Sequence, residues 1–231
     1  MISPPGPSRW RVEYPSASYA APFIFFLICL FVFPGLPLSP AWGSAVWVAL
    51  AGAACLACFP RDISLRPRFL VLSTLIGIAV FGLWIAPEAL IPGYRHGALF
   101  SNAILGRVPP AVPTDLFRNP AFLFWRTVRA VVIVPVVEEL FWRGWLMRWL
   151  ISSDFQKIPL GTYRPMSFWI TAILFASEHG PYWEVGLLAG VIYNAWMVRS
   201  KSLADCIWMH AVTNGALCAY VILGHHWQYW Q

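Results

Sequence analysis

The stretch Val131-Val-Ile-Val-Pro-Val-Val-Glu138-Glu139-Leu-Phe-Trp-Arg143-Gly-Trp-Leu146 decides how the chain is read. Its ends are apolar enough for a bilayer, yet its middle carries two acids and a base, which only a special environment tolerates. Working outward, the 231 residues are 59% hydrophobic, 16% aromatic and 11% charged, with a mean hydropathy of +0.63. Soluble globular chains carry about 25% charged residues, so a soluble domain is excluded. Disorder is excluded too, because it needs low hydrophobicity and high charge. A transmembrane helix takes about 20 mostly apolar residues, and segments near 20–39, 42–59, 69–87, 126–150, 167–183, 184–199 and 203–223 meet that need. The expected fold class is all-α: a polytopic membrane helix bundle of about seven helices, six to eight.

The 16 basic and 10 acidic residues leave a net charge of +6, scattered among apolar runs. Nucleic-acid binding, which needs a basic patch or stripe, is not expected. The bases mark topology instead. Arg9 and Arg11 precede the first span, Arg61, Arg66 and Arg68 follow the second, Arg148, Lys157 and Arg164 flank a later turn, and Arg199 and Lys201 flank the next. Neutral turns alternate with these, which places the N-terminus in the cytoplasm and, with seven spans, the C-terminus outside. The stretch 88–120, with Arg95, Arg107 and Arg118, fits this scheme least well, and its proline-rich 108–113 reads as loop. No cleavage site follows the first apolar run, so an uncleaved first helix is expected. The five cysteines lie in or beside apolar runs, where free cysteine acts as a small hydrophobe.

Ionisable and amide side chains inside the spans are the candidate functional residues. Glu139 and Arg143, four apart, share one helix face in the favourable order for an ion pair. Glu138 is rotated about 100° from Glu139 and is left as a single acid beside a low-dielectric wall. Such a carboxyl suits general-base work; the competing reading is an ion network that only locks the bundle. Pro135 is positioned to bend the helix just before the cluster. In the fifth span Phe175 and His179 are four apart and so stack on one face, although a helix-end histidine reads the same way. Glu178, next to the short turn, reads as interfacial. In the seventh span His210 and Asn214 form another such pair, with interhelical packing as the competing use. Counted at 1.5 Å per residue from the inferred cytoplasmic ends, Glu138, His179 and Asn214 lie roughly 16–18 Å deep and His210 roughly 10 Å. One common site is the expectation.

Glu138-Glu139-x-x-x-Arg143, Phe175-x-x-x-His179 and His210-x-x-x-Asn214, in that order on successive hydrophobic segments, resemble the three signature motifs of the CPBP intramembrane proteases. That family groups type II CAAX prenyl endopeptidases with bacteriocin-processing and bacteriocin-immunity membrane proteins. The resemblance divides the chain into a cytoplasmic N-terminal arm (1–19), N-terminal helices and a long loop (20–123), a catalytic core (124–223) and a tail (224–231). It extends in style to the CAAX-protease-related proteins associated with bacterial exosortases, and implies a multi-pass protein of the bacterial inner membrane.

The resemblance implies an intramembrane endopeptidase in which Glu138 and His179 activate a water. His210 and Asn214 would form the oxyanion hole, and Glu139, Arg143 and Phe175 would support the cluster. No cofactor is expected. Zinc is the mechanistic rival, since Glu138, Glu139, His179 and His210 could supply three ligands with an open position, but no His-Glu-x-x-His helix is present and no cysteine is nearby. The expected partners are membrane lipids and a membrane-associated peptide or protein substrate, of which lipidated CAAX-like peptides are one class. Oligomeric state and cleavage sequence stay unassigned. A non-catalytic membrane protein, such as a bacteriocin-immunity or regulatory factor, remains the alternative because fold does not fix function.

Overall fold

Asn119-Pro120 opens the longest helix as sequence rules require. Asn119 accepts hydrogen bonds from the backbone N–H groups of Ala121 and Phe122, both at 3.1 Å, and Pro120 occupies the first turn, where its missing N–H costs nothing. The computed structural model describes residues 13–61, 63–97, 99–100 and 115–230. Arg9, Arg11, Arg107 and the proline-rich 108–113, used above for topology, lie outside them. Among the described residues the main helices are α1 (Ala17–Val32), α2 (Pro40–Cys58), α3 (Leu70–Leu90), α4 (Pro120–Trp149), α5 (Pro165–Ser177), α6 (Trp183–Ser200) and α7 (Leu203–Gly224), with no strand. The all-helical membrane bundle is thus as expected.

Five of the helices, α1 to α4 and α7, are long and apolar enough to cross a membrane. The fifth predicted span, 167–183, is a shorter helix: α5 has 13 residues, about 20 Å at 1.5 Å each. It stops because Gly180 adopts a left-handed φ of +51° and Pro181 follows, so the helix cannot continue. α6 has 18 residues but carries Glu184, Asn194 and Arg199, which lower its hydropathy. These two form a hairpin that α4 and α7 flank. Phe31, Leu56, Val71 and Leu90 point outward from the bundle, as expected when lipid is the solvent.

Two contacts fix α3 against α7. Asp205 accepts from the N–H groups of Arg68 (2.7 Å) and Phe69 (2.8 Å) and from the Ser73 hydroxyl (2.8 Å), tying the start of α3 to that of α7. Further along, the backbones approach so closely that a Cβ on Gly77 would lie 2.6 Å from the Met209 carbonyl oxygen. Thr213 donates its hydroxyl to the Gly77 carbonyl at 3.0 Å in the same contact.

α4 is not a uniform α-helix. Residues Arg129–Ile133 and Leu140–Leu146 are π-helical and bracket the α-helical turn Val134–Glu139 that carries both acids. Proline at 135 accounts for the first widening, which takes the place of the simple bend expected there. Val134 N–H bonds back to the Arg129 carbonyl, and Pro135 has no N–H. The Ala130 carbonyl therefore loses both of its helical partners. π-turns of this kind recur at functional sites.

Candidate active site

Glu138, Phe175, His179, His210 and Asn214, from α4, α5, the turn after α5 and α7, line one cavity of about 120 Å³. The structure therefore brings together the sequence-predicted residues, while Glu139 and Arg143 lie behind the cavity wall, both fully buried. The one-residue rotation between the two acids produces this split: Glu138 faces the cavity and Glu139 faces the bundle.

Behind the wall, one carboxylate oxygen joins α4 to α7. Glu139 Oε1 accepts from Arg143 Nη1 at 2.9 Å and from His210 Nδ1 at 2.9 Å. Arg143 also donates from Nε to Asn194 Oδ1 at 3.0 Å, and Asn194 Nδ2 donates to the Phe168 carbonyl at 2.8 Å. The guanidinium carbon lies 4.4 Å from the Phe175 ring centroid and 5.2 Å from that of Tyr193. Such cation–π contacts are strongest where water is excluded. The buried charge is thus paired through Glu139 Oε1 and sandwiched between rings, while Glu139 Oε2 and Arg143 Nη2 are buried without a hydrogen-bond partner.

The tautomers follow from these partners. His179 Nδ1 lies 2.7 Å from the Phe175 carbonyl oxygen. A carbonyl only accepts, so Nδ1 carries the hydrogen and the neutral ring keeps Nε2 as an acceptor. The expected Phe175–His179 stack is present with ring centroids 4.7 Å apart. It forms differently from expectation: α5 ends at Ser177, and a tight turn with the His179 N–H on the Ala176 carbonyl at 3.1 Å returns the imidazole over Phe175. His210 likewise has Nδ1 committed to Glu139, so its Nε2 donates only when the ring is doubly protonated.

Asn214 has two tasks. Its Nδ2 donates to the Ala130 carbonyl at 2.8 Å, the carbonyl that the π-turn and Pro135 leave without a helical partner. Because that acceptor fixes which end of the carboxamide is nitrogen, the second Nδ2 hydrogen stays free beside the cavity.

Three residues that sequence reasoning passed over complete the site. Trp84 of α3, a helix without a motif, packs edge-on against His179 at 5.2 Å and lines the cavity. Tyr193 of α6 lines it as well, 5.1 Å from the His210 ring. Asn194 positions Arg143. A lone amide in the apolar run of α6 was the available signal for Asn194; no spacing pointed to the two aromatics. Glu178 accepts from Trp142 Nε1 at 3.0 Å, tying the end of α5 to α4 at the edge of the site. Gly186 and Gly190 of α6 leave room for the stacked pair: a Cβ would come within 3.1 Å of the His179 ring and of Phe175. Among the described residues no three His, Cys, Asp or Glu side chains converge as a metal site.

Residues 120–216 match the family model described as type II CAAX prenyl endopeptidase Rce1-like. This Rce1-like segment begins at the first residue of α4 and ends two residues beyond Asn214, so it spans every motif of the site. It covers somewhat under half of the chain, and α1 to α3 lie outside it. The Rce1-like match and the five apolar helices support an integral membrane protein and an intramembrane protease. No curated protein and no solved structure matches the chain.

Proposed function

We propose that the protein is an intramembrane endopeptidase that hydrolyses a peptide bond of a membrane-associated substrate with a water activated by Glu138 and His179. The observation that carries this reading is the shared cavity: an acid with a buried Oε2 lacking a hydrogen-bond partner, a histidine with a free Nε2, and an amide N–H converge on it. Glu138 takes the proton of the attacking water, whose oxygen bonds to the scissile carbonyl carbon, and as the C–N bond breaks that proton is relayed through His179 Nε2 to the leaving amine. The tetrahedral oxyanion is met by the free Asn214 Nδ2 hydrogen and by His210, held by Glu139. Arg143, Glu139 and Phe175 act through these groups as positioning residues.

The reaction runs without a metal in this reading. The Nε2 atoms of His179 and His210 stay open, but among the described residues no three His, Cys, Asp or Glu side chains converge on one point. The catalytic core is taken as 124–223, in the bacterial inner membrane with the N-terminus cytoplasmic, and lipidated, CAAX-like peptides are the substrate class nearest to the Rce1-like match. The test compares newly formed protein termini in cells expressing the native chain or Glu138→Gln at equal abundance. Termini that vanish with Glu138→Gln carry the reading. Unchanged termini, with a cellular phenotype still supported by Glu138→Gln and His179→Ala, overturn it in favour of a binding or immunity role.

A further inference from the structure

Arg95 belongs to the stretch whose bases run against the charge pattern of the other loops. Past the end of α3, Gly93 turns the chain back with a left-handed φ of +75°, and Tyr94–His96 form one tight helical turn. Arg95 is thereby buried against the Gly180–Tyr182 turn that follows His179. Its guanidinium serves two acceptors there. Nη1 donates to the Pro181 carbonyl at 2.6 Å, and Nη2 lies 2.7 Å from Glu184 Oε1. The planar fork of arginine meets a carbonyl and a carboxylate at once, which the point charge of lysine does not reproduce. The guanidinium carbon also lies 4.0 Å from the Tyr182 ring centroid. Trp183 Nε1, donating to the Leu99 carbonyl at 3.2 Å, ties the same two segments a second time.

Two routes lead from Arg95 to His179. Along the backbone, the Tyr182 N–H donates to the His179 carbonyl at 2.9 Å, so Pro181 lies inside the hydrogen-bonded turn that the histidine opens. Through the side chains, the Tyr182 ring lies within 13° of parallel to Trp84 with centroids 6.0 Å apart, and Trp84 meets His179 edge-on at 5.2 Å. The Tyr182 hydroxyl donates to the Gln228 carbonyl at 2.8 Å, which fixes the ring at its far end. His179 depends on such support. It lies beyond the end of α5, where the helical ladder no longer holds its backbone, and the next residue is Gly180 at a φ of +51°. The ring is tethered through Nδ1 to the Phe175 carbonyl at 2.7 Å, and that tether directs Nε2 at the cavity only while the turn keeps its place.

We infer that Arg95 is a positioning residue for the reaction: held on the Pro181 carbonyl, Glu184 and the Tyr182 ring, it fixes the turn that sets the His179 imidazole with its hydrogen on Nδ1 and a free Nε2. Arg95 and Trp84 both lie outside the matched segment 120–216, so this support comes from the N-terminal part of the chain. The role in cleavage rests on the peptidase reading above, whereas the placement of the ring does not.

The full chain, carrying isotope-labelled histidine in neutral detergent, is measured by nitrogen NMR, with the His179 signals identified as those missing from His179→Ala. The native chain should show one tautomer at His179, protonated at Nδ1 and bare at Nε2. In Arg95→Gln and in Tyr182→Leu the two nitrogen shifts should converge, as a released ring samples both tautomers. Asp205→Ala, which loosens the start of α3 and α7 without touching the turn, should keep the native pattern. Should Arg95→Gln fail to fold, Tyr182→Leu decides. A native His179 pattern in the folded variants, or the same convergence in Asp205→Ala, overturns the inference. Cleavage is read separately: termini that the native chain forms and Glu138→Gln does not should form at least tenfold more slowly in Arg95→Gln, and an unchanged rate overturns the positioning role. Should no such termini exist, the peptidase reading falls while the NMR pattern still decides whether Arg95 sets the imidazole.

Discussion

Replacing Asn194 with leucine removes the side chain that hydrogen-bonds Arg143 to α6 while nearly conserving volume. Two hydrogen bonds disappear: Arg143 Nε to Asn194 Oδ1, and Asn194 Nδ2 to the Phe168 carbonyl. The second loss is light, because a helical carbonyl keeps its backbone partner. The first strands a donor on a guanidinium that is fully buried. Hydrogen bonds to charged groups contribute about 1.5–3 kcal/mol in soluble proteins, whereas interhelical bonds in a membrane average about 0.6 kcal/mol because the unfolded helices find other partners. The expected destabilisation is therefore about 1–3 kcal/mol. Reversible unfolding in mixed micelles measures it, and cleavage should fall at least tenfold as Arg143, Glu139 and His210 lose their register. Asn194→Asp keeps the acceptor on Arg143 and should recover most of the stability. Asn194→Leu within about 0.5 kcal/mol of the native chain, the range of a neutral surface change, would refute the positioning role.

The remaining predictions follow from the same contacts. Asn214→Ala should both lower stability by about 1–3 kcal/mol, the cost of an orphaned buried carbonyl, and abolish cleavage; micelle unfolding and product analysis check the two effects separately. Asp205→Ala, which removes the acceptor for Arg68 N–H, Phe69 N–H and the Ser73 hydroxyl, should destabilise by about 2–4 kcal/mol while leaving the active-site contacts intact, as seen in a cysteine-accessibility map of α3. Cleavage should survive chelators such as 1,10-phenanthroline at millimolar concentration, and loss of activity restored by added zinc would reverse the metal-free reading. Gly186→Leu should push the His179 ring out of place and reduce cleavage at least tenfold at unchanged abundance on immunoblots.

Helical spacing made the paired residues legible, because i,i+4 neighbours meet wherever the backbone is close to helical. Glu139 and Arg143 pair at 2.9 Å although Arg143 sits in a π-turn. Phe175 and His179 meet although the helix has ended, since the tight turn at Ala176 restores the ring to the same side. Spacing carries no information about partners from other helices, so Trp84, Tyr193 and the Arg143–Asn194 bond were not readable. Pro135 signalled a disturbance, but that its outcome is an orphaned Ala130 carbonyl answered by Asn214 needs both helices in view. The end of α5 was misjudged because the span was carried past the polar Glu178-His179 to take in the aromatic Tyr182 and Trp183, while backbone geometry, set by Gly180 and Pro181, ends the helix at Ser177.

The most direct test of the central claim is the comparison of protein termini between cells making the native chain and cells making Glu138→Gln. Glu138 Oε2 has no hydrogen-bond partner, so replacing the carboxyl by an amide should leave folding and abundance unchanged. The account predicts a discrete set of membrane-protein termini that the native chain generates and Glu138→Gln does not. Identical termini in the two strains, at equal abundance, would contradict it.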